Sequence, residues 1–499
     1  MFRKETYMSL INVQNLTFSY EGSYDKVFEN VSFNIDTKWK LGFSGRNGRG
    51  KTTFLKLLMG EYEYSGKITA SVNFEYFPYE IKDKTLNTIE VVKGDYELWQ
   101  LQCELSLLNV NEDVLNRPFN TLSSGEQTKV LLASMFIREN NFLLIDEPTN
   151  HLDMESREKL SDYLSLKSGF ILVSHDRAFL DKCTDHTLSI NKTNIEIIKG
   201  NFSTWYENKI LQDNFEASEN EKLKKDIRRL KETAKEKAEW SDKAEARKIG
   251  FDPRKVEKSL DRRPKEAAKA KKAMARAKAI ENRTSKLIEE KETLLKNIEE
   301  NESLKLFPEA FHSKRLIEAR NLSINYGSKE VFGNLNFEIL TGDRIRLEGI
   351  NGSGKSSLIK LIMGEEISYT GEFFKAKGLK ISYIPQITDN LKGSIYEYEE
   401  RNGLDSPLFR AILRKLDFSR VQFEKKLESY SMGQKKKVLI AHSLSERANL
   451  YIWDEPLNYI DVLSRIQLEE LIIKYSPTIL FVEHDKAFCE NIATKRIIL

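Results

Sequence analysis

The sequence is poor in cysteine, with only three among its 499 residues. Cys103, Cys183 and Cys489 lie far apart, so they cannot supply the clustered thiolates that hold an iron–sulfur centre. Scattered single cysteines are typical of proteins that work in a reducing compartment. The cysteine usage therefore predicts a cytoplasmic protein without an iron–sulfur domain.

Long apolar runs are also absent. No stretch reaches the roughly 18 apolar residues that a membrane helix needs, and the segment MFRKETYMSLINV at the start holds no apolar signal core. We therefore expect no membrane span. Residues 1–8 are interpreted as an N-terminal extension, and Met8 is an alternative start of translation.

A strong overall charge is missing as well, because 79 Lys and Arg nearly balance 76 Asp and Glu. The charge is nevertheless uneven. Residues 243–286 hold 16 Lys or Arg and 6 Asp or Glu, a net of +10, which leaves −7 for the rest of the chain. A basic segment set against an acidic remainder is an electrostatic footprint for a phosphate backbone. We favour rRNA as its partner, and the alternative is a solvated helical face.

What the sequence does contain is an internal repeat. The glycine loop GRNGRGKT at Gly45–Thr52 recurs as GINGSGKS at Gly349–Ser356, 304 residues later. Three further motifs recur in the same order at offsets of 308, 308 and 309, namely LSSGEQ at 122–127 and YSMGQK at 430–435, Asp146-Glu147 and Asp454-Glu455, and His175 and His484. One order at a nearly constant offset predicts a duplicated domain.

The segment between the two copies is dense in charge and favours helix. It carries an apolar stripe with the spacing of a coiled coil at Leu223, Ile227, Leu230, Ala234 and Ala238. An imperfect heptad seam follows at Ala273, Ala277, Ile280, Thr284, Leu287, Lys291, Leu294 and Ile298. Helix breakers lie between the stripes, in the sequence Lys248, Ile249, Gly250, Phe251, Asp252 and Pro253. We predict two long antiparallel helices joined by a loop at these six residues.

Each glycine loop follows an apolar strand and precedes a helix. Such a loop aims backbone N–H groups at phosphate oxygens, its lysine reaches the β- and γ-phosphates, and the next hydroxyl binds Mg²⁺. We predict ATP contacts from Gly45, Asn47, Gly48, Gly50, Lys51, Thr52 and Thr53, and from Gly349, Asn351, Gly352, Gly354, Lys355, Ser356 and Ser357.

Two apolar strands each end in an Asp-Glu pair. Asp146 and Asp454 are placed to hold Mg²⁺ beside the loop hydroxyls. Glu147 and Glu455 are placed to polarise the attacking water. An acidic pair alone says little, but its position after a glycine loop and before a late histidine indicates a catalytic role.

The motif LSSGEQ resembles the signature of ABC ATPases, which is far more specific than a glycine loop. The resemblance implies that each signature contacts the γ-phosphate bound by the opposite domain, through Ser123, Gly125 and Glu126, and through Ser431, Gly433 and Gln434. It also implies adenine stacking on Tyr20 and Tyr326, for which the alternative is a core strand position. Gln386 matches the lid glutamine that touches Mg²⁺, and His175 and His484 match the switch histidines.

Two composite ATP sites follow from this resemblance, one at Lys51 facing the second signature and one at Lys355 facing the first. The Lys51 site departs from the family pattern at two positions. Tyr79 stands where the first lid glutamine is expected, and Met432 lies in the middle of the second signature. We therefore predict slower turnover at the Lys51 site.

Tandem ABC domains around a basic helical linker resemble the ABC-F family of translation factors over essentially the whole chain. The resemblance implies a monomer whose ATP-closed form enters the exit-tRNA site of the 70S ribosome, where it contacts rRNA and tRNA. The linker would point toward the peptidyl-transferase centre. The glycine loop, the lid segment FEYFP and the length are similar to Lsa-type antibiotic-resistance proteins, which implies protection against lincosamides, pleuromutilins and streptogramin A.

Three other functions stay open. One is a housekeeping ABC-F factor, and another is the ATPase subunit of a drug exporter, which would not need the hairpin. The third is a DNA-repair ATPase, whose coiled coil would interrupt one nucleotide domain. The predicted fold is α/β, with two tandem ABC-type P-loop domains at 9–203 and 313–499 joined by a long antiparallel helical hairpin at 204–312.

Overall fold

The structure is a computed structural model. It describes residues 10–21, 26–92, 96–138, 140–150, 152–191, 194–249, 304–326, 329–350, 352–389 and 391–499, and single residues 272, 278, 279, 283 and 286. The chain divides into two compact units, one running to Trp205 and resuming at Glu302, the other spanning Tyr206–Asn301. Among the described residues, no helix has both the length and the apolar character to cross a membrane.

The first domain has two sheets. Its strands are β1 (Leu10–Ser19), β2 (Lys26–Asp36), β3 (Lys40–Ser44), β4 (Ser65–Thr69), β5 (Asn73–Phe77), β6 (Asn141–Asp146), β7 (Phe170–Val173), β8 (His186–Asn191) and β9 (Asn194–Lys199). One sheet is antiparallel in the order β2-β1-β4, and the other has the order β5-β6-β7-β3-β8-β9 with only β9 antiparallel to its neighbour. β6 and β7 are nearly continuous apolar runs because both of their faces are buried.

The helices of this part of the chain are α1 (Lys51–Leu58), α2 (Thr88–Val91), α3 (Leu98–Leu107), α4 (Ser124–Phe136), α5 (Met154–Ser165), α6 (Arg177–Cys183) and α7 (Phe202–Ile249), with 3₁₀ turns at Glu112–Asn116 and Phe119–Thr121.

The second domain repeats this design. Its strands are β10 (Phe307–Pro308), β11 (Arg315–Tyr326), β12 (Lys329–Leu340), β13 (Arg344–Glu348), β14 (Tyr369–Lys375), β15 (Ile381–Ile384), β16 (Arg447–Ala448), β17 (Leu450–Asp454), β18 (Ile479–Val482) and β19 (Lys495–Ile498). The antiparallel sheet has the order β12-β11-β14, the parallel sheet β15-β17-β18-β13-β19, and β10 pairs with β16.

Its helices are α8 (Lys355–Met363), α9 (Ile395–Asn402), α10 (Ser406–Lys415), α11 (Arg420–Phe423), α12 (Met432–Ser445), α13 (Val462–Tyr475) and α14 (Lys486–Ile492), with a 3₁₀ turn at Leu427–Ser429.

The parallel sheets determine where the motifs meet. In the first domain the glycine loop follows β3, the acidic pair ends β6, and the switch histidine follows β7. These three strands run parallel as neighbours, so their carboxyl ends share one edge of the sheet. The same arrangement holds for β13, β17 and β18 in the second domain.

The unit at Tyr206–Asn301 is described mainly by α7. Lys248 and Ile249 are the last residues of that helix. The other predicted loop residues, Gly250 to Pro253, lie outside the described residues, as does most of the second predicted helix. The predicted linker bounds of 204–312 therefore stay a prediction.

Candidate active site

Both glycine loops end at the first residue of a helix, α1 at Lys51 and α8 at Lys355. Gly50 and Gly354 precede them with φ angles of 96° and 99°. A Cβ at either glycine would lie 2.5 Å from a valine Cγ1 of β2 or β12. Only glycine fits such a conformation and such a contact, so each loop can turn its N–H groups toward one point.

The two loop lysines fold back over their own loops. Lys51 Nζ donates to Gly45 O at 2.7 Å, and Lys355 Nζ donates to Gly349 O at 2.8 Å. Burial lowers the pKa of both lysines, and neighbouring carboxylates oppose this shift. Each ammonium group thus lies against its own glycine loop, where phosphate oxygens would bind. Asn351 of the second loop lies outside the described residues.

Asp146 is hydrogen-bonded to two hydroxyl groups. Thr52 Oγ1 donates to Asp146 Oδ2 at 2.9 Å, and Tyr76 Oη donates to the same oxygen at 2.8 Å. A hydroxyl and a carboxylate in contact form an oxygen donor set of the kind that Mg²⁺ prefers. Sequence reasoning did not single out Tyr76, and its position inside the lid segment FEYFP gave no sign of this contact.

The two catalytic glutamate candidates share an unusual backbone. Glu147 and Glu455 have φ angles of 49° and 47°, the left-handed region that non-glycine residues seldom adopt. His175 Nε2 lies 3.2 Å from Glu147 Oε1, and His484 Nε2 lies 3.7 Å from Glu455 Oε1. The structure therefore brings each switch histidine to its own glutamate, in the order that the motifs predict.

The electrostatic surroundings of these glutamates differ. Burial, together with Asp146, raises the pKa of Glu147 to about 8. At Glu455 burial acts in the same direction, but the neighbouring His484 and Gln386 side chains outweigh it and lower the pKa to about 2. Asn458 Nδ2 also donates to Glu455 Oε2 at 2.6 Å.

The tyrosines predicted to stack on adenine are not core residues. Tyr20 is 45% exposed and Tyr326 is 52% exposed. Tyr20 Oη lies 2.6 Å from Thr53 Oγ1, and Tyr326 Oη donates to Ser357 Oγ at 3.3 Å. Both rings therefore stand beside the glycine-loop helices, where a base could reach them.

Each signature serine caps a helix. Ser123 Oγ accepts from the backbone N–H of Glu126, whose carboxylate accepts from the Ser123 N–H. Ser431 and Gln434 form the same reciprocal pair at the start of α12. Glu126 and Gln434 thus fix the helix ends that Gly125 and Gly433 occupy.

The second composite site is a cavity of about 540 Å³ between the domains. Its second-domain lining includes Tyr326, Gly352, Gly354, Lys355, Ser356, Ser357, Gln386, Asp454, Glu455 and His484. The first domain contributes Ser124 of the signature, with Leu152 and Arg157. The glycine loop of one domain therefore faces the signature helix of the other.

The first composite site also joins the two domains. Asn47 Nδ2 donates to Tyr459 O at 2.7 Å. A Cβ on Gly433 would lie 2.6 Å from that carbonyl and 3.3 Å from Asn47 Nδ2, so only glycine fits between them. Arg46 and Arg49 lie 4.0 and 3.6 Å from Asp417 Oδ1 of the second domain.

The two lids differ as the sequence suggests. Gln386 lines the second cavity, whereas Tyr79 Oη lies 3.3 Å from Ser134 Oγ on α4. Behind the second lid, the buried Lys436 donates to Pro385 O at 2.8 Å. The offset of 308 puts Thr128 at the equivalent place in the first domain. Sequence reasoning missed Lys436, whose one signal was a run of three lysines in the signature helix.

Two glycine loops, two acidic pairs and two signature helices, each signature completing the other domain's site, define an ATPase of the ABC class. The ABC transporter family matches residues 28–150 and 332–458. The ribosome protection protein VmlR of Bacillus subtilis is 30% identical over 495 residues, which are 96% of this chain and 85% of that protein. The ATP-binding protein Uup of Buchnera aphidicola is 30% identical over 523 residues, which are 98% of this chain and 80% of that protein.

A crystal structure of the archaeal ribosome recycling factor aABCE1 with the stalk protein aP1 shares the fold, with a TM-score of 0.62 at 20% identity. The match covers 97% of this chain and 87% of that one. The chain belongs to the ABC-F family and is an ATPase.

Proposed function

We propose that this chain is a cytoplasmic, monomeric ribosome protection protein that closes its two domains on ATP and acts from the exit-tRNA site of the 70S ribosome. The likeness to VmlR along 96% of the chain supports a ribosomal partner. The net charge of +10 in residues 243–286 supports contacts with rRNA and tRNA. In this proposal the linker loop at residues 248–253 acts on the drug site, and the drugs removed are lincosamides, pleuromutilins and streptogramin A.

The proposed chemistry uses residues of both domains at each site. Lys51 and Lys355 bind the β- and γ-phosphates, while the facing signature serine and glycine donate to the γ-phosphate. Glu455, which its hydrogen bonds keep ionised, accepts a proton from the attacking water, and Glu147 has this role at the other site. The switch histidines keep the glutamate carboxylates in position.

Mg²⁺ fits the oxygen donors in both sites. Thr52 and Asp146 would hold it in one site, and Ser356, Gln386 and Asp454 in the other. A bound Mg²⁺ would neutralise charge on the phosphates. Burial, with Glu455 beside it, raises the pKa of Asp454 to about 6, which is the direction expected for a carboxylate crowded by another.

The observation that carries the proposal is the pair of inter-domain contacts at the first site, Asn47 with Tyr459 and the arginines with Asp417. They allow both ATP sites to close within one chain, as the proposed monomer requires. An exporter subunit would have no use for a basic linker between its domains.

Cell-free translation stalled by lincomycin tests the proposal, since membranes and therefore export are absent. Purified protein with ATP should restore synthesis, and the Glu147→Gln/Glu455→Gln double variant should not. If the double variant blocks translation without drug and the wild type does not restore translation stalled by lincomycin, the chain is a housekeeping ABC-F factor without a resistance role. No effect of either protein on translation would exclude a ribosomal function.

A further inference from the structure

The second domain has a cleft on α9, α10 and α11 that shares no lining residue with the ATP cavity. Its volume is about 620 Å³. Three arginines and three aromatic residues line it, namely Arg410, Arg414, Arg420, Tyr396, Phe418 and Phe423. None of the ATP-site motifs contributes a residue to this cleft.

The three arginines differ in how they are held. Arg410 donates to both carboxylate oxygens of the buried Glu399 at 2.7 Å, which fixes its position. Arg414 and Arg420 are exposed and make no side-chain hydrogen bond or ion pair within the described part of the chain. Two guanidinium forks therefore point into solvent beside one anchored fork, an arrangement suited to phosphate oxygens.

The duplicated domain supplies an internal comparison. The offset of 308 relates Arg410, Arg414 and Arg420 to Gln102, Ser106 and Glu112. Gln102 Nε2 donates to Glu112 Oε2 at 2.8 Å, so the equivalent positions also lie together in the first domain. Both domains carry a glycine loop, an acidic pair and a signature, and the first carries them without the arginines.

The surrounding charge follows the same division. Residues 410–426 hold six Lys or Arg and two Asp or Glu. The equivalent residues 102–118 hold one Lys or Arg and three Asp or Glu. The two segments have the same length and differ by six units of charge. A positive potential at this cleft is thus a property of the second domain alone.

We propose that this cleft binds the phosphate backbone of RNA, with an unpaired base stacked on Tyr396. Tyr396 is 63% exposed and stands at the cleft beside Arg410. Aromatic rings next to arginine forks are the common means of holding unstacked RNA bases. The identification of this RNA as ribosomal rests on the proposed function, and an acidic peptide is the competing ligand.

Fluorescence anisotropy of a labelled 12-nucleotide single-stranded RNA with the full chain, over a series of KCl concentrations, tests the proposal. Arg414→Ala/Arg420→Ala should weaken binding about tenfold and lower the salt slope by about 1.4, since each phosphate contact on a single strand contributes about 0.7. Tyr396→Ala should weaken binding while the slope stays the same. Arg414→Lys/Arg420→Lys should keep the slope.

The matched control is Lys377→Ala/Arg496→Ala, which removes two exposed cations from the second domain outside the cleft. Equal affinity and slope in the cleft variant and this control would overturn the proposal. Binding of a labelled poly-glutamate peptide can be measured in the same way. If peptide binding depends on Arg414 and Arg420 while RNA binding does not, the ligand is an acidic peptide and the RNA proposal is overturned.

Co-sedimentation with ribosomes separates this proposal from the proposed function. If the wild-type chain does not sediment with ribosomes but its RNA binding still depends on Arg414 and Arg420, the proposed ribosomal function is wrong and the proposed RNA site stands. If all variants sediment with ribosomes and the arginine substitutions do not change RNA binding, the proposed RNA site is wrong and the ribosomal function stands.

Discussion

Glu147 and Glu455 occupy equivalent positions with equivalent backbone strain, yet their carboxylates have different partners. Glu455 accepts a hydrogen bond from Asn458, and the neighbouring His484 and Gln386 side chains lower its pKa. Glu147 lacks the lid glutamine because Tyr79 replaces it and contacts α4 instead. The structure therefore adds an electrostatic reason to the sequence-based expectation that the Lys51 site is the slower one.

We expect Glu455→Gln to remove most steady-state ATP turnover, by about tenfold or more, since a positioned base contributes at least that much. Glu147→Gln should lower turnover less than about threefold, because the site that it disables contributes little. Phosphate release from the two single variants, measured beside the double variant as the blank, checks this. Equal losses in the two single variants would contradict it.

Lys437 and Asp461 form a buried ion pair in the second domain. Lys437 Nζ lies 3.2 Å from Asp461 Oδ2, and both side chains are nearly inaccessible. Asp461→Asn keeps the helix cap of α13 but leaves the ammonium group unpaired, which should cost about 3 kcal/mol in the free energy of unfolding. Asp153→Asn is the matched control, because Asp153 caps α5 in the same way and is less buried. It should cost under about 1 kcal/mol.

The loss of stability in Asp461→Asn depends on pH through the pKa of Asp461. Burial opposes ionisation, but Lys437 and the backbone N–H of Ser464 outweigh it and lower the pKa. A lowered pKa gives stability that is present above the unfolded value of about 3.9 and is lost as the pH falls through the folded value. Urea unfolding of wild type and Asp461→Asn should therefore show a constant difference in stability from about pH 8 to 5, and this difference should begin to shrink as the pH falls below about 4. A difference in stability that stays unchanged as the pH falls below about 4 would contradict the assignment.

At the scale of elements, the turn between α10 and α11 joins the domains. Asp417 has a φ of 66° and meets both arginines of the first glycine loop. Its counterpart in the first domain is Asn109, and the loop positions equivalent to Arg46 and Arg49 are Ile350 and Ser353. The charged contact therefore exists at one composite site only.

We expect Asp417→Asn to weaken ATP-dependent closure about three- to tenfold, in line with partly buried ion pairs of ~1 kcal/mol. The measurement is ATP affinity in the Glu147→Gln/Glu455→Gln background, where bound ATP is not consumed. Asn109→Asp serves as the control, since no arginine stands opposite it and closure should stay unchanged. If Asp417→Asn still lowers ATP affinity when Arg46 and Arg49 are already replaced, Asp417 does not act through its contacts with these arginines.

The motifs and their order were sufficient to predict the tandem fold, because the glycine loops, acidic pairs and signatures are local patterns with fixed chemistry. Tyr76, Lys436 and Asp417 could not be predicted in this way. Each acts through a partner distant in the sequence, and nothing in the local pattern of a strand, a helix or a turn specifies which groups it will meet. The departures at Tyr79 and Met432 were visible, but the geometry was needed to see where Tyr79 points.

At the scale of the whole molecule, charge is arranged in separate regions. The segment 243–286 has a net of +10, residues 207–242 have −1, and the remainder is acidic. An acidic body repels phosphate while a basic segment attracts it, so the orientation of approach to RNA is set before contact. Binding through such a segment must weaken steeply as salt rises.

Neutralising Arg262, Arg263, Lys271 and Lys272 to Gln should therefore lower the salt slope of ribosome binding by about 3, at roughly 0.9 or less for each contact. The control replaces Lys222, Lys225, Arg228 and Arg229, which lie in the stretch with a net of −1, and should leave the slope unchanged. Both proteins are compared by sedimentation in the Glu147→Gln/Glu455→Gln background, so that hydrolysis does not release the ribosome. Equal slopes in the two variants would mean that the basic segment is a solvated helical face, and that the body, including the cleft at Arg414 and Arg420, carries the ribosomal contacts.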